Sequence, residues 1–226
     1  MRKIGLVGGI SWVSTMEYYK AINEGVHARL GGLEFAECAI ESINFGELQR
    51  IGWPNALALL QDRCKRLEAN GVAGIALCAN TAHLHAKALQ ESTLLPMIDM
   101  VVETAKAVRA LGLKQVGLLG TKWTMETSFY RERFEEVGLS VTVPDSAEVR
   151  DYIQRTLKEE LGVGRFNAAT KARYLDISNQ LVERGADCLV LGCTEIPLLI
   201  GQADLSVPVI DTTQVHCQAI VEFMLS

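Results

Sequence analysis

The order of hydrophobic and polar residues divides the chain into short apolar runs separated by longer segments with helical periodicity. The apolar runs predict eight strands, at residues 3–8, 38–43, 73–78, 96–98, 115–119, 139–143, 187–192 and 207–210. Most are continuously apolar, as strands buried on both faces must be. The segments between them predict helices at residues 14–30, 54–69, 100–111, 126–137, 146–160, 167–184 and 213–225. Strands that alternate with helices predict an α/β fold with mostly parallel, helix-covered sheets.

Parts of this pattern occur twice. The stretches IGLVGG, GVAGIALCA and LPMIDM begin at positions 4, 71 and 95, and they return as VGLLGT, GADCLVLGC and VPVIDT at 116, 185 and 207. The offsets are therefore 112, 114 and 112 residues. Three matches in the same order at nearly constant spacing predict two copies of one α/β unit, with a site in the cleft between them.

The last helix decides how the chain divides into these units. The segment 213–225 echoes 100–111, so we expect each unit to end with one of these two helices. We therefore predict that lobe 1 comprises residues 1–98 plus 213–226 and that lobe 2 comprises residues 99–212.

Composition excludes several classes of partner. The chain has 226 residues, 49% of them hydrophobic, and a net charge of -5, with no run of basic residues. Nucleic acid and membrane are therefore not expected as partners. No apolar run is long enough to span a bilayer, and Gly8 and Gly9 interrupt the only signal-like stretch, so we expect a cytoplasmic protein.

The cysteines and histidines do not predict a metal site. The six cysteines form no C-x-x-C pair, and His83 and His85 lie two residues apart, on different faces of a helix. Scattered cysteines in a large cytosolic chain are usually reduced thiols that fill the core. We expect no metal and, because no nucleotide-binding fingerprint is present, no cofactor.

The repeat distinguishes two adjacent candidate positions, Cys78 and Ala79. Aligning the two copies places Ala79 opposite Cys193 and Cys78 opposite Gly192. Neighbouring residues of a strand point to opposite faces, so Cys78 and Ala79 cannot both face the cleft. Cys193 is therefore the candidate reactive thiol, and Cys78 is predicted to be a core residue. We expect a lowered pKa for Cys193, which follows a strand at the start of a loop or helix, and a Glu195 side chain that points away from the sulfur or is hydrogen-bonded.

The segments GLVGGISWVSTMEYYKAIN, ANTAH and LGCTEIPLLI resemble the aspartate/glutamate racemase family of cofactor-independent amino-acid racemases. The resemblance covers essentially the whole chain. It implies two pseudo-symmetric α/β lobes with the active site between them, a small amino-acid substrate, no cofactor, and a homodimer. It also implies one cysteine immediately before Asn-Thr and a second in Gly-Cys-Thr, because racemisation requires an acid/base group on each face of one carbon.

The chain departs from this pattern at Ala79, which cannot exchange a proton. The resemblance therefore leaves Cys193 as the catalytic thiol, with Thr81 or a bound water serving the second face. Two other interpretations stay open. The protein is either a one-thiol decarboxylase or isomerase that protonates a single face of a carbanion, or an amino-acid-binding protein without turnover.

The substrate-binding candidates lie in the loops that follow the predicted strands. Asn80, Thr81 and Thr194 have donors for a substrate carboxylate, and we expect them to cap a helix as well, since the two roles are compatible. Ile10 and Ser11 follow a glycine-rich turn, and Thr121 is the matching residue of the second copy or a helix cap. The resemblance suggests Gln49, in a polar loop, as a contact to the substrate side chain. Arg165 is either a carboxylate clamp or a solvated surface residue. The full set of candidates is Cys193, Thr81, Ile10, Ser11, Gln49, Ala79, Asn80, Thr121, Arg165 and Thr194.

Overall fold

The structure is a computed structural model that describes residues 1–226. Its strands are β1 (Ile4–Gly8), β2 (Cys38–Ser42), β3 (Gly74–Leu77), β4 (Met97–Ile98), β5 (Gln115–Gly120), β6 (Ser140–Thr142), β7 (Cys188–Gly192) and β8 (Val209–Asp211). Its α-helices are α1 (Trp12–Leu30), α2 (Phe45–Ile51), α3 (Leu57–Ala69), α4 (Ala86–Glu91), α5 (Met100–Ala110), α6 (Lys122–Glu126), α7 (Phe129–Glu135), α8 (Ala147–Glu159), α9 (Ala168–Glu183) and α10 (Thr212–Leu225).

The chain forms two compact units, residues 1–103 with 213–226, and residues 104–212. Each contains one four-stranded sheet, in the order β2-β1-β3-β4 in the first unit and β6-β5-β7-β8 in the second. All strand pairs are parallel. The predicted α/β fold with parallel, helix-covered sheets is therefore confirmed, and all eight strands lie where the apolar runs predict them.

The two sheets repeat each other down to the pairing of individual residues. Val7 pairs with Leu77 in the first sheet, and Leu119 pairs with Leu191 in the second. These pairs are related by the same offsets, 112 and 114, that relate the sequence stretches. Because a slip of one residue would turn every side chain to the opposite face, equal register means that equivalent residues face equivalent sides of their sheets.

The first sheet is covered on both faces. One face carries Val7 and Leu77, which pack with apolar side chains of α3. The other face carries Ala76 and Cys78, which pack with side chains of α1 and α10. In the second sheet, Leu189 and Leu191 pack with α8 and α9. Burial of both strand faces explains why the sequence shows continuous apolar runs instead of alternation.

Three short helices are missing from the sequence prediction, namely α2, α4 and α6. The case of α2 shows the reason. This helix has seven residues, of which only Leu48 is buried. Because one buried apolar residue cannot repeat, the sequence contains no helical period here. Its ends are set by local chemistry instead, because the side chain of Asn44 accepts from the N–H of Gly46 and Gly52 ends the helix at φ 78°.

Two of the three aromatic residues in the first turns of α1 are exposed. Tyr18 is fully buried, but Trp12 and Tyr19 are 68% and 51% exposed. Helical periodicity identifies neighbours on a helix, and it does not identify which of its faces meets the sheet.

No helix combines the length and apolar character that a membrane crossing requires. The chain also contains no cluster of three or more His, Cys, Asp or Glu residues arranged to bind a metal ion.

A buried polar contact joins α1 to α10 in the first unit. The hydroxyl of Tyr18 lies 2.8 Å from Nδ1 of His216, and Nε2 of His216 lies 2.7 Å from the carbonyl oxygen of Ile98. A carbonyl only accepts, so Nε2 carries the proton and Nδ1 accepts from Tyr18. His216 is fully buried and, with this tautomer, neutral.

This buried imidazole makes folding sensitive to acid. Burial, with a smaller contribution from His83, lowers the pKa of His216 from 6.5 to about 3. Between pH 6.5 and about pH 3, His216 is protonated in the unfolded chain and neutral in the folded chain. The free energy of unfolding should therefore fall by about 1.4 kcal/mol for each pH unit of acidification. Urea unfolding between about pH 7 and about pH 4.5 measures the slope.

The matched variant is His216→Gln, whose amide cannot take up a proton in this range. Its free energy of unfolding should depend less steeply on pH than that of the wild type. Equal slopes for the two proteins would show that His216 is not the acid-sensitive group.

Candidate functional site

In the first unit, the loop after β1 is held tightly against the following helix. The backbone N–H of Gly9 donates to Oγ1 of Thr15 at 2.9 Å, and a Cβ on Gly8 would lie 2.5 Å from the Thr15 side chain. Gly9 has φ 80°, a conformation that favours glycine. The loop ends at Ser11, whose side chain accepts from the N–H of Ser14 and caps α1, while Ile10 is buried.

The segment after β3 forms a 3₁₀ turn, Asn80–His85, next to the β1 loop. Asn80 and Thr81 are both buried, at 4% exposure. The predicted capping role of these two residues is wrong. Ala79 occupies the N-cap position in an extended conformation, and no side chain caps the turn. The polar side chains of Asn80 and Thr81 belong to the turn itself.

The structure separates Cys78 from Ala79 as strand geometry predicts. Cys78 is 1% exposed and packs on the sheet face that α1 and α10 cover. Ala79 is half-buried and packs on the opposite face. Burial raises the pKa of the Cys78 thiol well above its ordinary value, so this cysteine is a protonated core residue.

In the second unit, Thr121 and Cys193 follow two paired glycines. Gly120 pairs with Gly192 at the carboxyl ends of β5 and β7. A Cβ on Gly120 would lie 2.8 Å from the carbonyl oxygen of Gly192 and 2.9 Å from the side chain of Thr124. Thr121 caps α6, because its Oγ1 accepts from the N–H of Thr124 at 3.2 Å. Thr121 is therefore a helix cap, but it caps α6 and not the predicted helix at residues 126–137.

The thiol of Cys193 is hydrogen-bonded to a carboxylate. Its Sγ donates to Oε2 of Glu195 at 2.9 Å, and Oγ1 of Thr194 donates to the same oxygen at 2.9 Å. Cys193 and Thr194 are half-buried, and Glu195 is 9% exposed. The carbonyl oxygen of Cys193 accepts from the N–H of Ile196, which begins the 3₁₀ turn Ile196–Leu198. This short turn brings the carboxylate back to the sulfur.

The surroundings of Cys193 favour the thiol over the thiolate. Burial has the largest effect, followed by the charge of Glu195 and by the hydrogen bond to it, and together they raise the thiol pKa well above its ordinary value. Hydrogen bonds from the backbone N–H groups of Thr194 and Glu195 act in the opposite direction. Sequence reasoning expected a lowered pKa and a Glu195 side chain that points away from the sulfur or is hydrogen-bonded. The lowered pKa is wrong, and the carboxylate is hydrogen-bonded to the thiol itself.

Two candidates lie apart from these strand ends. Gln49 is exposed on α2, a helix where the sequence predicted a loop. Arg165 is exposed in the segment that precedes α9, where its backbone N–H donates to the carbonyl oxygen of Glu160. Their proposed contacts to a substrate stay predictions. The other candidates lie at the carboxyl edge of their own sheet, where α/β proteins place ligands.

Two residues of these loops, Glu195 and His83, were not among the candidate site residues predicted from the sequence. Glu195 is related by the repeat to Thr81, so the thiol–carboxylate pair of the second unit corresponds to Ala79 and Thr81 in the first. His83 contacts the carbonyl oxygen of Ala79 through Nδ1, at 3.0 Å. The repeat alignment could have identified Glu195, because both Cys193 and Glu195 lack an equivalent in the first copy, where Ala79 and Thr81 stand.

Comparisons with known proteins agree with this architecture. A model of the Asp/Glu/hydantoin racemase family matches residues 7–220. The crystal structure of a protein assigned as an Asp/Glu racemase, from Yersinia pestis, superposes with a TM-score of 0.93 at 36% identity and covers 100% of both chains. An aspartate racemase homologue from Pyrococcus horikoshii has a TM-score of 0.87 at 35% identity, again over 100% of both chains.

A curated relative is also similar in sequence. The broad specificity amino-acid racemase of Bacillus subtilis is 26% identical over 166 residues, which cover 73% of this chain and 70% of the relative. The family match spans almost all of the residues that form the two repeated sheets. This chain belongs to the Asp/Glu/hydantoin racemase family.

Proposed function

We propose that this protein is a cofactor-independent racemase or related isomerase of a small amino acid, and that Cys193 exchanges the Cα proton. The single observation that carries the proposal is the hydrogen bond between the Cys193 thiol and the Glu195 carboxylate in the Gly-Cys-Thr segment. Membership of the racemase family supports the reaction class. Aspartate, glutamate and a broader set of amino acids are all candidate substrates. The homodimer and the cytoplasmic location stay predictions.

Glu195 supplies a proton acceptor for the Cys193 thiol, which its raised pKa otherwise keeps protonated. To abstract a proton, Cys193 must first become a thiolate, and its proton passes along the existing hydrogen bond to Oε2 of Glu195. The thiolate then takes the Cα proton, the Cα–H bond breaks, and its electron pair is delocalised into the substrate carboxylate. In the opposite direction the protonated thiol donates to the carbanion, for which its raised pKa keeps the proton available.

The substrate carboxylate requires hydrogen-bond donors because negative charge develops on it during deprotonation. Asn80, Thr81 and Thr194 have suitable side chains at the carboxyl ends of β3 and β7. We propose that they hold this carboxylate, and that Thr81 or a water beside Ala79 serves the second face of Cα. A hydroxyl is a weaker acid than a thiol, so turnover should be slower than with a thiol on each face.

A specific observation favours a second candidate. Ala79 and Thr81 replace the thiol and the carboxylate of the other unit, so the first unit contains no equivalent acid/base pair. One thiol is sufficient to protonate a single face of a carbanion, as in a decarboxylase or a one-face isomerase. A protein that binds an amino acid without turnover is the third candidate.

Proton NMR in D₂O distinguishes the three candidates. Incubation with separate L- and D-amino acids should remove the Cα–H signal and produce the other enantiomer, which chiral chromatography detects. The Cys193→Ala variant should lose at least about 100-fold in rate, because an acid/base group contributes that much or more. Cys78→Ala, which alters a thiol in the core, should retain the wild-type exchange rate.

Each other result contradicts racemisation or the role of Cys193 in it. Exchange with retention of configuration shows one-face chemistry. A ligand that raises the melting temperature while no Cα–H exchanges shows a binding protein. Exchange at the wild-type rate in Cys193→Ala would show that the thiol does not take part in proton transfer.

A second prediction concerns the position opposite Cys193 in the repeat. Replacing Ala79 by Cys introduces a group that can exchange a proton, so racemisation should rise by about tenfold or more. Ala79→Ser is the matched control, because it adds a side chain of similar size whose hydroxyl is a poor acid. No gain in a folded Ala79→Cys variant, or an equal gain in both, would contradict the repeat alignment.

A third prediction tests the interaction between Glu195 and the thiol. The Glu195→Gln variant keeps the size of the side chain and removes the charge that raises the Cys193 pKa. The pKa of Cys193 should therefore fall, and alkylation by iodoacetamide should become significant at a lower pH than in the wild type. Burial persists in the variant, so the pKa should stay above the ordinary value.

Because Cys38 is also half-buried, the signal of Cys193 must be isolated. Cys193→Ser, measured alone and combined with Glu195→Gln, provides the rate to subtract. Identical pH profiles for Cys193 with and without the carboxylate would show that Glu195 does not control the thiol.

A further inference from the structure

His83 forms a bridge between two backbone groups in the first unit. Its Nδ1 lies 3.0 Å from the carbonyl oxygen of Ala79, and its Nε2 lies 3.1 Å from the backbone nitrogen of Met100, the first residue of α5. An amide N–H only donates and a carbonyl only accepts, so Nε2 accepts from Met100 and Nδ1–H donates to Ala79. The imidazole is neutral, 4% exposed, and uses both nitrogens.

The bridge ends at the residue that opens the candidate site loop. The carbonyl oxygen of Ala79 also accepts from the N–H of Ala82, the first hydrogen bond of the 3₁₀ turn. A 3₁₀ turn has poor hydrogen-bond geometry and is therefore easily distorted. The second donor, from His83, fixes the direction of the Ala79 carbonyl, and with it the orientation of the peptide units of Asn80 and Thr81 that follow.

His83 packs against a second buried and hydrogen-bonded imidazole, that of His216. The ring of His83 contacts the ring of His216 edge-on, with centroids 5.8 Å apart. His216 is held on its two sides by Tyr18 of α1 and by the carbonyl oxygen of Ile98. All of these groups are buried, and a buried hydrogen bond costs more to break than an exposed one.

The second unit has no equivalent imidazole bridge. The repeat relates His83 to Pro197 and Met100 to Thr212. Proline has no side-chain donor, and Oγ1 of Thr212 donates to the carbonyl oxygen of Leu191, which lies within β7 and corresponds to Leu77, at 3.0 Å. The imidazole bridge is therefore specific to the unit that contains Ala79, and it is not required by the repeated fold.

From these contacts we infer that His83 is a positioning residue, which orients Asn80 and Thr81 for the substrate by holding the Ala79 carbonyl. This inference rests on the proposed function for its effect on turnover. It does not place His83 in contact with the substrate. His83 affects the rate through the positions of the hydrogen-bond donors of the loop, because a displacement on the order of 1 Å can reduce the rate about 100-fold.

Two amide substitutions separate the two contacts. In His83→Asn, the side-chain NH₂ occupies the place of Nδ1 and can donate to Ala79, but nothing reaches Met100. In His83→Gln, the side-chain oxygen occupies the place of Nε2 and can accept from Met100, but the donor to Ala79 is lost. Both variants lose one buried hydrogen bond, so both should show a similar decrease in melting temperature.

The two His83 variants should differ in activity, although they lose similar stability. His83→Gln should reduce kcat by about tenfold or more, whereas His83→Asn should stay within about threefold of the wild type. The control is His85→Gln, since His85 lies in the same turn and contacts the carbonyl oxygen of Trp53 instead. Equal losses of kcat in the two His83 variants, in proportion to their loss of stability, would overturn the inference.

A measurement without substrate keeps this test independent of the proposed function. Amide hydrogen exchange of residues 80–82 should be faster in His83→Gln than in the wild type and unchanged in His83→Asn. If the wild type has no turnover, the proposed function fails, and this exchange pattern still decides the role of His83. Unchanged exchange in His83→Gln would overturn the inference whatever the activity.

Discussion

Adjacent residues of a strand point to opposite faces of the sheet, and this constraint determines which thiol of the chain is available for chemistry. At the end of β3 it turns Cys78 into the core between the sheet and helices α1 and α10, where burial keeps it protonated. Ala79, one residue further, takes the other face. At the end of β7 the same geometry turns Cys193 to the face equivalent to that of Ala79, because the two sheets share one register.

The duplication preserves the scaffold and varies the chemistry. Strand order and register are the same in both units, and in each a glycine at the end of the first strand packs against a threonine of the next helix. The polar residues that follow are not the same. Cys193 and Glu195 form a hydrogen-bonded acid/base pair, while Ala79 and Thr81 occupy the equivalent positions. Packing constrains the glycines in both copies, whereas nothing in the packing requires a thiol in both.

Hydrogen bonding in these loops has two distinct physical effects. Around Cys193 it controls proton affinity, because the carboxylate of Glu195 raises the thiol pKa and the backbone N–H groups lower it. Around Ala79 it controls geometry, because neutral His83 and His216 have no charge to contribute and connect backbone groups instead. Burial of these polar groups is tolerated because the Tyr18 hydroxyl, both ring nitrogens of His216 and the Ile98 carbonyl oxygen are all hydrogen-bonded to one another in series.

The sequence by itself determined the eight strands, the long helices, the parallel α/β class and the repeat, because each depends on apolar periodicity or on direct identity between segments. It also determined that Cys78 is a core residue, since the two-residue period of a strand is local. It did not predict α2, α4 or α6, whose few buried residues produce no period. The exposure of Trp12 and Tyr19 also escaped it, because the face a helix buries depends on its neighbours.

Only the tertiary structure decided the state of the Cys193 thiol and the role of His83. A pKa depends on burial and on which charges lie within a few ångströms, and the turn after Cys193 brings Glu195 back to the sulfur. The bridge from His83 joins residues 79 and 100, and His216 reaches Ile98 across 118 positions of the chain. Contacts between such distant residues leave no local pattern, so the folded chain alone shows them.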